Sequence, residues 1–283
     1  MIIVRTVAEL RAATGEARRS GARIGLVPTM GAFHDGHISL MRRAKARSGF
    51  VVVSLFVNPT QFNETSDLDR YPRDEQRDAC LADAADVSIL FAPSVDEVYP
   101  HGFATTVEVS ALAAPLEGVV RGPQHFRGVA TVVAKLLNMA QPDDAYFGQK
   151  DAQQALIIRR LVLDLDLPVR IEICPTLREP DGLAMSSRNV LLDPASRTRA
   201  VALSKALFAI ERGMHEGERR AAVLLDRGRA MLEAEQIEPE YLAMVDANTL
   251  APVETVDRET LVPIAARFGA VRLIDNVIIG GGA

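Results

Sequence analysis

Apolar residues along the chain fall into short runs that alternate with segments of helical spacing. Residues 50–57 are almost continuously apolar and rich in β-branched side chains, as expected of a parallel strand buried on both faces. Further strands are expected at 2–4, 24–27, 87–91, 145–147 and 169–173, and helices at 7–20, 38–45, 73–85, 129–139 and 152–165. This alternation predicts an α/β fold, a Rossmann-like doubly wound parallel sheet in which the strand at 50–57 is central.

The pattern changes after about Thr176. Two long helical runs are expected at 194–215 and 219–236, and strands follow at 241–245, 261–268 and 271–279. Two helices followed by several strands predict a smaller α+β domain. We therefore expect two domains, at 1–176 and 177–283, joined by a loop at 175–189.

The composition is that of an ordinary globular protein. The chain has 283 residues, a formal net charge of −5 and a pI near 5.6, so nucleic acid and anionic membranes are not expected partners. No apolar run reaches the roughly 20 residues of a membrane span, and the N-terminus lacks a signal-peptide pattern. We expect a cytoplasmic protein in which Cys80 and Cys174 are free, buried thiols.

The stretch His34-Asp35-Gly36-His37 is the strongest candidate for chemistry. It follows an expected strand and the turn-prone residues 28–31, and it opens a helix. The first N–H groups of a helix have no internal partner and carry partial positive charge, which favours phosphate oxygens. Two histidines three residues apart share one face of the first turn, where each can donate an N–H to such an oxygen.

A histidine pair with this spacing can also be two surface side chains without a function, or half of a metal site. The sequence has no Cys-rich segment and no His-Glu-x-x-His helix that would complete a metal shell. The preceding strand and glycine turn therefore favour nucleotide phosphate binding. The sequence defines no metal ligands.

Further polar residues follow expected strands, at the sheet edge where α/β folds bind ligands. Asn58 and Gln61 come after the central strand and can offer uncharged donors and acceptors to a small polar substrate. Lys150 follows a strand-end glycine and is a natural phosphate cation, with Asp151 as a helix cap or a ribose contact. Gln154 lies one turn further along the expected helix.

A last polar segment, at 181–189, lies on the loop between the expected domains. Ser186, Ser187 and Arg188 could wrap a polyphosphate and neutralise the charge on its leaving group. A hinge loop with phosphate ligands would also close over the site and exclude water. A simple linker turn is the alternative interpretation.

Four motifs resemble the pantothenate synthetase (pantoate–β-alanine ligase) family. They are Pro-Thr-Met-Gly-Ala-Phe-His-Asp-Gly-His at 28–37, Val-Asn-Pro-Thr-Gln-Phe at 57–62, Phe-Gly-Gln-Lys-Asp at 147–151 with Gln153 and Gln154 after it, and Asp-Gly-Leu-Ala-Met-Ser-Ser-Arg-Asn at 181–189. The resemblance covers nearly the whole chain in the right order. The family belongs to the nucleotidylyltransferases that carry a His-x-Gly-His signature.

This resemblance implies a reaction and an assembly. The family makes pantothenate from pantoate, β-alanine and ATP with Mg²⁺, through a pantoyl-adenylate, and releases pyrophosphate and AMP. A cytoplasmic homodimer is implied as well. Residues 1–176 would bind ATP and pantoate, and residues 177–283 would close over the site.

The resemblance also implies roles for individual residues. For ATP it implies Pro28, Thr29, Met30, Gly31, Ala32, Phe33, His34, Asp35, Gly36, His37, Gly148, Gln149, Lys150, Asp151, Leu177, Met185, Ser186, Ser187 and Arg188. The catalytic residues among them, which meet the charge that develops on the phosphates, would be His34, His37 (the proton donor), Lys150, Ser186, Ser187 and Arg188. Gln61 and Gln154 would hold pantoate, with Gln61 also near β-alanine. Asn58, Tyr71 and Arg121 match other positions that line the pocket.

The chain departs from the family pattern at four places. Gln149 replaces the usual glutamate, Phe33 replaces leucine, Leu177 stands where valine is common, and the stretch at 121–126 is one residue longer than Arg-Pro-Gly-His-Phe. The longer stretch makes the alignment of Arg121 ambiguous. None of the four removes a group that the chemistry requires.

Two other functions share these features. A nucleotidylyltransferase acting on a phosphorylated metabolite would use the same histidines, although the uncharged Gln61 and Gln154 favour an acceptor without phosphate. A non-catalytic nucleotide sensor would bind ATP without turnover.

Overall fold

The computed structural model describes residues 1–63 and 65–280, and the chain forms two compact units. Unit 1 consists of Met1–Gly148 and Gln153–Cys174. Unit 2 consists of Gln149–Ala152 and Pro175–Ala283.

Unit 1 contains a six-stranded sheet in which all paired neighbours are parallel. Its strands are β1 (Ile2–Val4), β2 (Ile24–Thr29), β3 (Phe50–Leu55), β4 (Ile89–Phe91), β5 (Asp144–Gly148) and β6 (Arg170–Cys174), in the spatial order β1-β4-β3-β2-β5-β6. The helices that alternate with them are α1 (Val7–Arg19), α2 (Asp35–Arg47), α3 (Thr65–Arg70), α4 (Glu75–Ala84), α5 (Val95–Val98), α6 (Ser110–Ala113), α7 (Glu117–Arg121), α8 (Pro123–Ala140) and α9 (Ala152–Asp164).

The buried pattern of β3 explains its place in the sheet. Val51, Val52 and Val53 are fully buried, so both faces of the strand are covered, and β3 pairs with β4 on one side and β2 on the other. The predicted doubly wound parallel sheet with β3 in a central position is confirmed.

Two of the boundaries in unit 1 that differ from the prediction have a clear physical cause. Strand β2 continues through Pro28 and Thr29, which we expected in a turn, because both pair in register with β3 and the Thr29 hydroxyl donates to the Ser54 carbonyl at 2.5 Å. Helix α8 begins at Pro123, before the expected position 129, with proline in the first turn where its missing N–H costs nothing.

Unit 2 is an α+β domain built around an antiparallel sheet. Its helices are α10 (Pro194–Ala200), α11 (Ala202–His215) and α12 (Ala221–Glu233), and its strands are β7 (Pro239–Leu242), β8 (Val245–Asp246), β9 (Thr260–Phe268) and β10 (Val271–Ile279). Strand β9 pairs with β10, β7 and β8. A core that includes Leu207, Ile210, Val262 and Ile264 is fully buried. The expected smaller α+β domain is confirmed, and its first helical run is interrupted at Val201.

The two thiols differ in their surroundings. Cys174 is buried, and burial raises the pKa of its thiol to about 11. Cys80 is exposed on α4, so the expectation of two buried thiols was wrong for this residue. Among the helices described, none is both long and apolar enough to cross a membrane.

Candidate active site

The turn from β2 into α2 lies where the strand order of unit 1 reverses. The chain places β3 on one side of β2 and β5 on the other, so the carboxyl ends of β2 and β5 flank a topological switch point. Open α/β sheets bind ligands at such a point. The predicted histidine turn therefore occupies the expected place in the fold.

A buried carboxylate fixes the backbone just before the histidines. Gly31 and Ala32 both have positive φ angles, of 90° and 54°, and a Cβ atom at Gly31 would lie 2.7 Å from Cδ1 of Leu55, which would have to move. Asp78, only 1% exposed on α4, accepts hydrogen bonds from the N–H groups of Ala32 and Phe33, each at 2.8 Å. These charge-assisted bonds hold a backbone that would otherwise be strained.

Sequence reasoning missed Asp78. In the sequence, Asp78 stands four positions before Ala82, so both residues lie on the buried side of α4. A carboxylate at such a position needs buried partners, and here backbone N–H groups supply them.

His34 and His37 cap α2 reciprocally. Nδ1 of His34 accepts from the N–H of Gly36 at 3.1 Å, while the N–H of His34 donates to Nδ1 of His37 at 3.4 Å. The two ring centroids lie 4.2 Å apart. Because Nδ1 of each ring is an acceptor, the hydrogen of each neutral imidazole is on Nε2.

The turn after β3 places Gln61 beside the residues before the histidines. Asn58, 1% exposed, donates through Nδ2 to Oε1 of Gln61 at 3.1 Å and to the Gly128 carbonyl at 3.2 Å. Nε2 of Gln61 in turn contacts Sδ of Met30 at 2.7 Å. The two segments that we predicted for ATP and for pantoate therefore meet within unit 1.

Asn58 has its side chain fully engaged inside the protein. Its Oδ1 accepts from the hydroxyls of Thr60 and Tyr99, each at 2.9 Å, and from the N–H of Thr60 at 3.3 Å. The buried Asn58 amide therefore orients the Gln61 side chain. Asn58 is thus a positioning residue in this arrangement.

His125 was also missed by the sequence reasoning. Its Nδ1 lies 2.7 Å from the backbone oxygen of Gln61, at the start of α8. Gly128, on the same helix, has no room for a side chain because a Cβ atom would lie 2.4 Å from the Thr60 oxygen. The only feature of His125 in the sequence was its position within the longer stretch at 121–126.

The remaining predicted pocket residues of unit 1 lie around this turn and on α9. The ring of Tyr71 meets that of Phe62 edge-on at 5.8 Å, and Arg121 pairs through Nε with Glu117 at 2.9 Å. Gln154 is half-buried on α9. Its neighbour Gln153 is buried and bonds to main-chain groups at 112, 115 and 117, which gives it a structural role.

In unit 2, Lys150 lies on a short 3-10 turn, Gln149–Asp151, that precedes α9. The Lys150 side chain is 19% exposed, and Nζ lies 3.8 Å from the Asp151 carboxylate, which is largely exposed. Gln149 donates through Nε2 to Oδ1 of Asn276 at 3.2 Å. The turn therefore presents one cation and one carboxylate together.

The loop at 177–191 brings the other predicted phosphate residues together. The N–H of Met185 donates to the Leu177 carbonyl at 2.9 Å, and Arg178 pairs with Ala184, so the loop folds back on itself. Beyond it, the Ser186 hydroxyl accepts from the N–H of Arg188 at 3.2 Å, and Arg188 is exposed. This turn places Ser186, Ser187 and Arg188 next to one another in the chain.

The sequence left the magnesium ligands undefined. No group of three or more histidine, cysteine, aspartate or glutamate side chains within the described part of the chain could hold a metal ion. Mg²⁺ in nucleotide enzymes is commonly held by phosphate oxygens, water and one or two carboxylates. The exposed Asp151 carboxylate, 3.8 Å from Nζ of Lys150, is a group of the kind that this mode uses.

Comparison with known proteins decides the family. The sequence profile of the family described as pantoate-beta-alanine ligase matches residues 2–278. The chain belongs to the pantoate-beta-alanine ligase family. The resemblance that the four motifs predicted is confirmed, and with it the assignment of the chain to a family of ligases.

Similar members of the pantoate-beta-alanine ligase family span the same length. The pantothenate synthetase of Roseiflexus castenholzii is 52% identical over 280 residues, which cover 99% of each chain. Pantothenate synthetase 1 of Bradyrhizobium diazoefficiens is 51% identical, covering 99% of this chain and 98% of its own.

Solved structures of the family share the fold. The crystal structure of pantothenate synthetase from Thermus thermophilus has a TM-score of 0.91 at 48% identity, covering 98% of this chain and 99% of that one. The pantoate-beta-alanine ligase of Francisella tularensis, complexed with beta-gamma ATP and beta-alanine, has a TM-score of 0.81 at 34% identity, covering 98% and 97%.

Proposed function

We propose that this chain condenses pantoate with β-alanine to give pantothenate, using ATP and forming AMP. The pantoate carboxylate attacks the α-phosphorus of ATP and pyrophosphate leaves, so the carboxylate becomes a pantoyl-adenylate. The amine of β-alanine, in its unprotonated form, then attacks the acyl carbon, the acyl–phosphate bond breaks, AMP leaves, and the nitrogen loses one proton to solvent. No covalent bond to the enzyme is required.

The reciprocal cap of His34 and His37 carries this proposal. Both rings are held through Nδ1, so Nε2 is the donor that each can present to a phosphate oxygen. The N-terminus of α2 adds partial positive charge at the same place. We assign the ATP phosphates to this turn, residues 28–37, with His37 donating a hydrogen bond from Nε2 to a phosphate oxygen.

Unit 2 supplies the charged and hydroxyl groups of the proposal. Lys150, Ser186, Ser187 and Arg188 would neutralise the charge that grows on the leaving pyrophosphate. Gly148, Gln149, Asp151, Leu177 and Met185 complete the proposed ATP site. Bound Mg²⁺, arriving with ATP, would neutralise charge on the phosphates. Asp151, next to Lys150 in the sequence, is the carboxylate that could help to hold the ion.

Pantoate is assigned to Gln61 and Gln154. The Asn58 amide fixes Oε1 of Gln61, which orients the Gln61 side chain before the substrate arrives. An uncharged amide can pair with the hydroxyls and carboxylate of pantoate without attracting a further phosphate group. Tyr71 and Arg121 are proposed to line the same pocket.

The proposal also assigns a function to each domain. Residues 1–176 would bind ATP and pantoate, and residues 177–283 would close over the bound substrates and exclude water from the adenylate. A homodimer in the cytoplasm is likewise proposed, and the molar mass in solution tests the dimer directly.

The proposed reaction is tested by following AMP. The chain is incubated with ATP, Mg²⁺, pantoate and β-alanine, and each component is omitted in turn. We expect AMP and pantothenate only in the complete mixture. A stable adenylylated product formed with a phosphorylated acceptor would favour a nucleotidylyltransferase, and ATP binding without any product would favour a nucleotide sensor.

A further inference from the structure

Two neighbouring residues on β10 contact both parts of unit 2 that carry the proposed ATP ligands. They are Asp275 and Asn276, each only 3% exposed. We propose that they are positioning residues, which hold the Lys150 turn and the loop at 177–191 on a single strand. The proposal rests on the function proposed above, because that function makes the two segments phosphate ligands.

Asn276 holds the Lys150 turn through its amide group. Nδ2 donates to the backbone oxygens of Gln149 at 2.9 Å and Lys150 at 3.0 Å. Oδ1 accepts from Nε2 of Gln149 at 3.2 Å. Two consecutive carbonyls are thus fixed by one buried side chain, which sets the direction in which the Lys150 side chain leaves the backbone.

Asp275 holds the start of the loop through Arg178. Its carboxylate accepts two hydrogen bonds from the Arg178 guanidinium, at 2.5 and 3.0 Å, and one from the N–H of Asn276 at 2.7 Å. Arg178 also donates to the Gly182 carbonyl at 3.2 Å and stacks over the Phe208 ring at 4.9 Å. Arg178 therefore connects β10 to the start of the loop and to its turn at Gly182.

The far end of the loop is tied back to its start. The Glu179 carboxylate accepts from Nδ2 of Asn189 at 2.7 Å and from Arg197 at 2.6 Å. Nδ2 of Asn189 also donates to the Ala184 carbonyl at 3.1 Å. The residues between, including Ser186 and Arg188, are thereby held at both ends.

A buried ion pair is a poor source of stability but a good source of defined geometry. Burial raises the pKa of the Asp275 carboxyl, while the hydrogen bonds and charge of Arg178, and the charge of Lys150, act in the opposite direction. In other proteins, replacing a buried ion pair by well-packed apolar residues is often neutral or stabilising. Adjacent positions on one strand lie about 3.4 Å apart along it, so the pair gives the two segments a fixed spacing.

A double-mutant cycle tests the role of Asn276. Asn276→Ala removes both donors to the turn and should lower kcat and weaken ATP binding by about tenfold each, since a displacement of about 1 Å can cost up to about 10²-fold. In a Lys150→Ala background the same substitution should change either quantity by less than about twofold, because no ammonium remains to be placed. A role in folding alone would give the same cost in both backgrounds.

Asp246→Ala is the matched control. Asp246 is another buried polar residue of unit 2, and it accepts from the N–H groups of Asn248 and Thr249. Its substitution should lower the melting temperature without any coupling to Lys150→Ala. Asp275→Asn, combined with Arg188→Ala, gives the equivalent cycle for the loop.

The outcomes separate this proposal from the proposed function. Additive costs of Asn276→Ala and Lys150→Ala, in a chain that forms AMP, would overturn the positioning role and leave the function intact. Coupled costs on ATP binding, in a chain that never forms AMP, would support the positioning role and overturn the function. A chain that binds no ATP would overturn both.

Discussion

The N–H of His34 donates to Nδ1 of His37, and Nδ1 of His34 accepts from the N–H of Gly36. Each histidine therefore caps α2 through Nδ1, and we propose that each donates through Nε2 to a phosphate oxygen. The cap uses one nitrogen of each ring and assigns the hydrogen to the other. Substitutions can therefore test the capping of α2 and the proposed donation to phosphate separately.

His37→Ala and Lys150→Ala should each lower the rate of adenylate formation by about 10²-fold or more, the usual cost of losing one charge-stabilising donor. Single-turnover formation of pyrophosphate from ATP and pantoate measures this directly. His37→Gln restores an acceptor at the third helical position and should recover most of the stability lost in His37→Ala. His101→Ala, at an exposed histidine, is the control for the loss of an imidazole. Near-normal turnover of either alanine variant would overturn its assigned role.

Asn58 should act on pantoate only through Gln61. Asn58→Ala leaves the Gln61 amide without its fixed partner, and we expect it to raise the KM for pantoate about tenfold while leaving the KM for ATP within about twofold. In a Gln61→Ala background the same substitution should have little further effect on the KM for pantoate. A full additional loss there would mean that Asn58 contacts the substrate itself.

Asp144 should make the free energy of unfolding of unit 1 depend on pH in the acidic range. Burial favours the neutral form of its carboxyl, but hydrogen bonds from Arg23 at 2.8 Å and Arg170 at 2.7 Å prevail, and the pKa lies below its usual 3.8. Because the pKa is lower in the folded state, the stabilisation is complete above about pH 4 and is lost as the pH falls through the folded value.

Asp144→Asn should cost about 2 kcal/mol at pH 7, the usual scale for hydrogen bonds to a charged group. It should also flatten the loss of stability below about pH 4. Urea unfolding between about pH 3 and pH 7 measures both effects, and Glu16→Gln, at an exposed carboxylate on α1, is the control. An unchanged acid dependence would show that Asp144 is not a source of it.

The sequence was sufficient for the sheet, because buried strands such as β3 leave a continuous apolar signal. It was also sufficient for the histidine turn, where a strand, a glycine and a helix start are adjacent in the chain. Asp78 could not be found in this way, since its partners, Ala32 and Phe33, lie 46 and 45 residues earlier. The bond between Gln149 and Asn276 spans 127 residues and leaves no local pattern.

Short helices such as α6 and α7 were missed for a related reason. They have too few residues for an apolar period to be visible. The side chain that bonds to their backbone and to the turn between them, Gln153, lies much later in the sequence. The roles of Gln61 and Gln154 remain predictions. Their chemistry depends on a ligand that neither the apolar pattern nor the folded chain specifies.

The order of chemical steps is tested most directly by isotope exchange between pyrophosphate and ATP. The chain is incubated with ATP, Mg²⁺, pantoate and labelled pyrophosphate, without β-alanine. If pantoate is activated first and the adenylate is shielded from water, label should enter ATP in a reaction that depends on pantoate. Gln61→Ala should suppress the exchange by about 10²-fold, because the carboxylate is no longer aligned with the α-phosphorus. Exchange that occurs only after β-alanine is added would contradict the two-step mechanism.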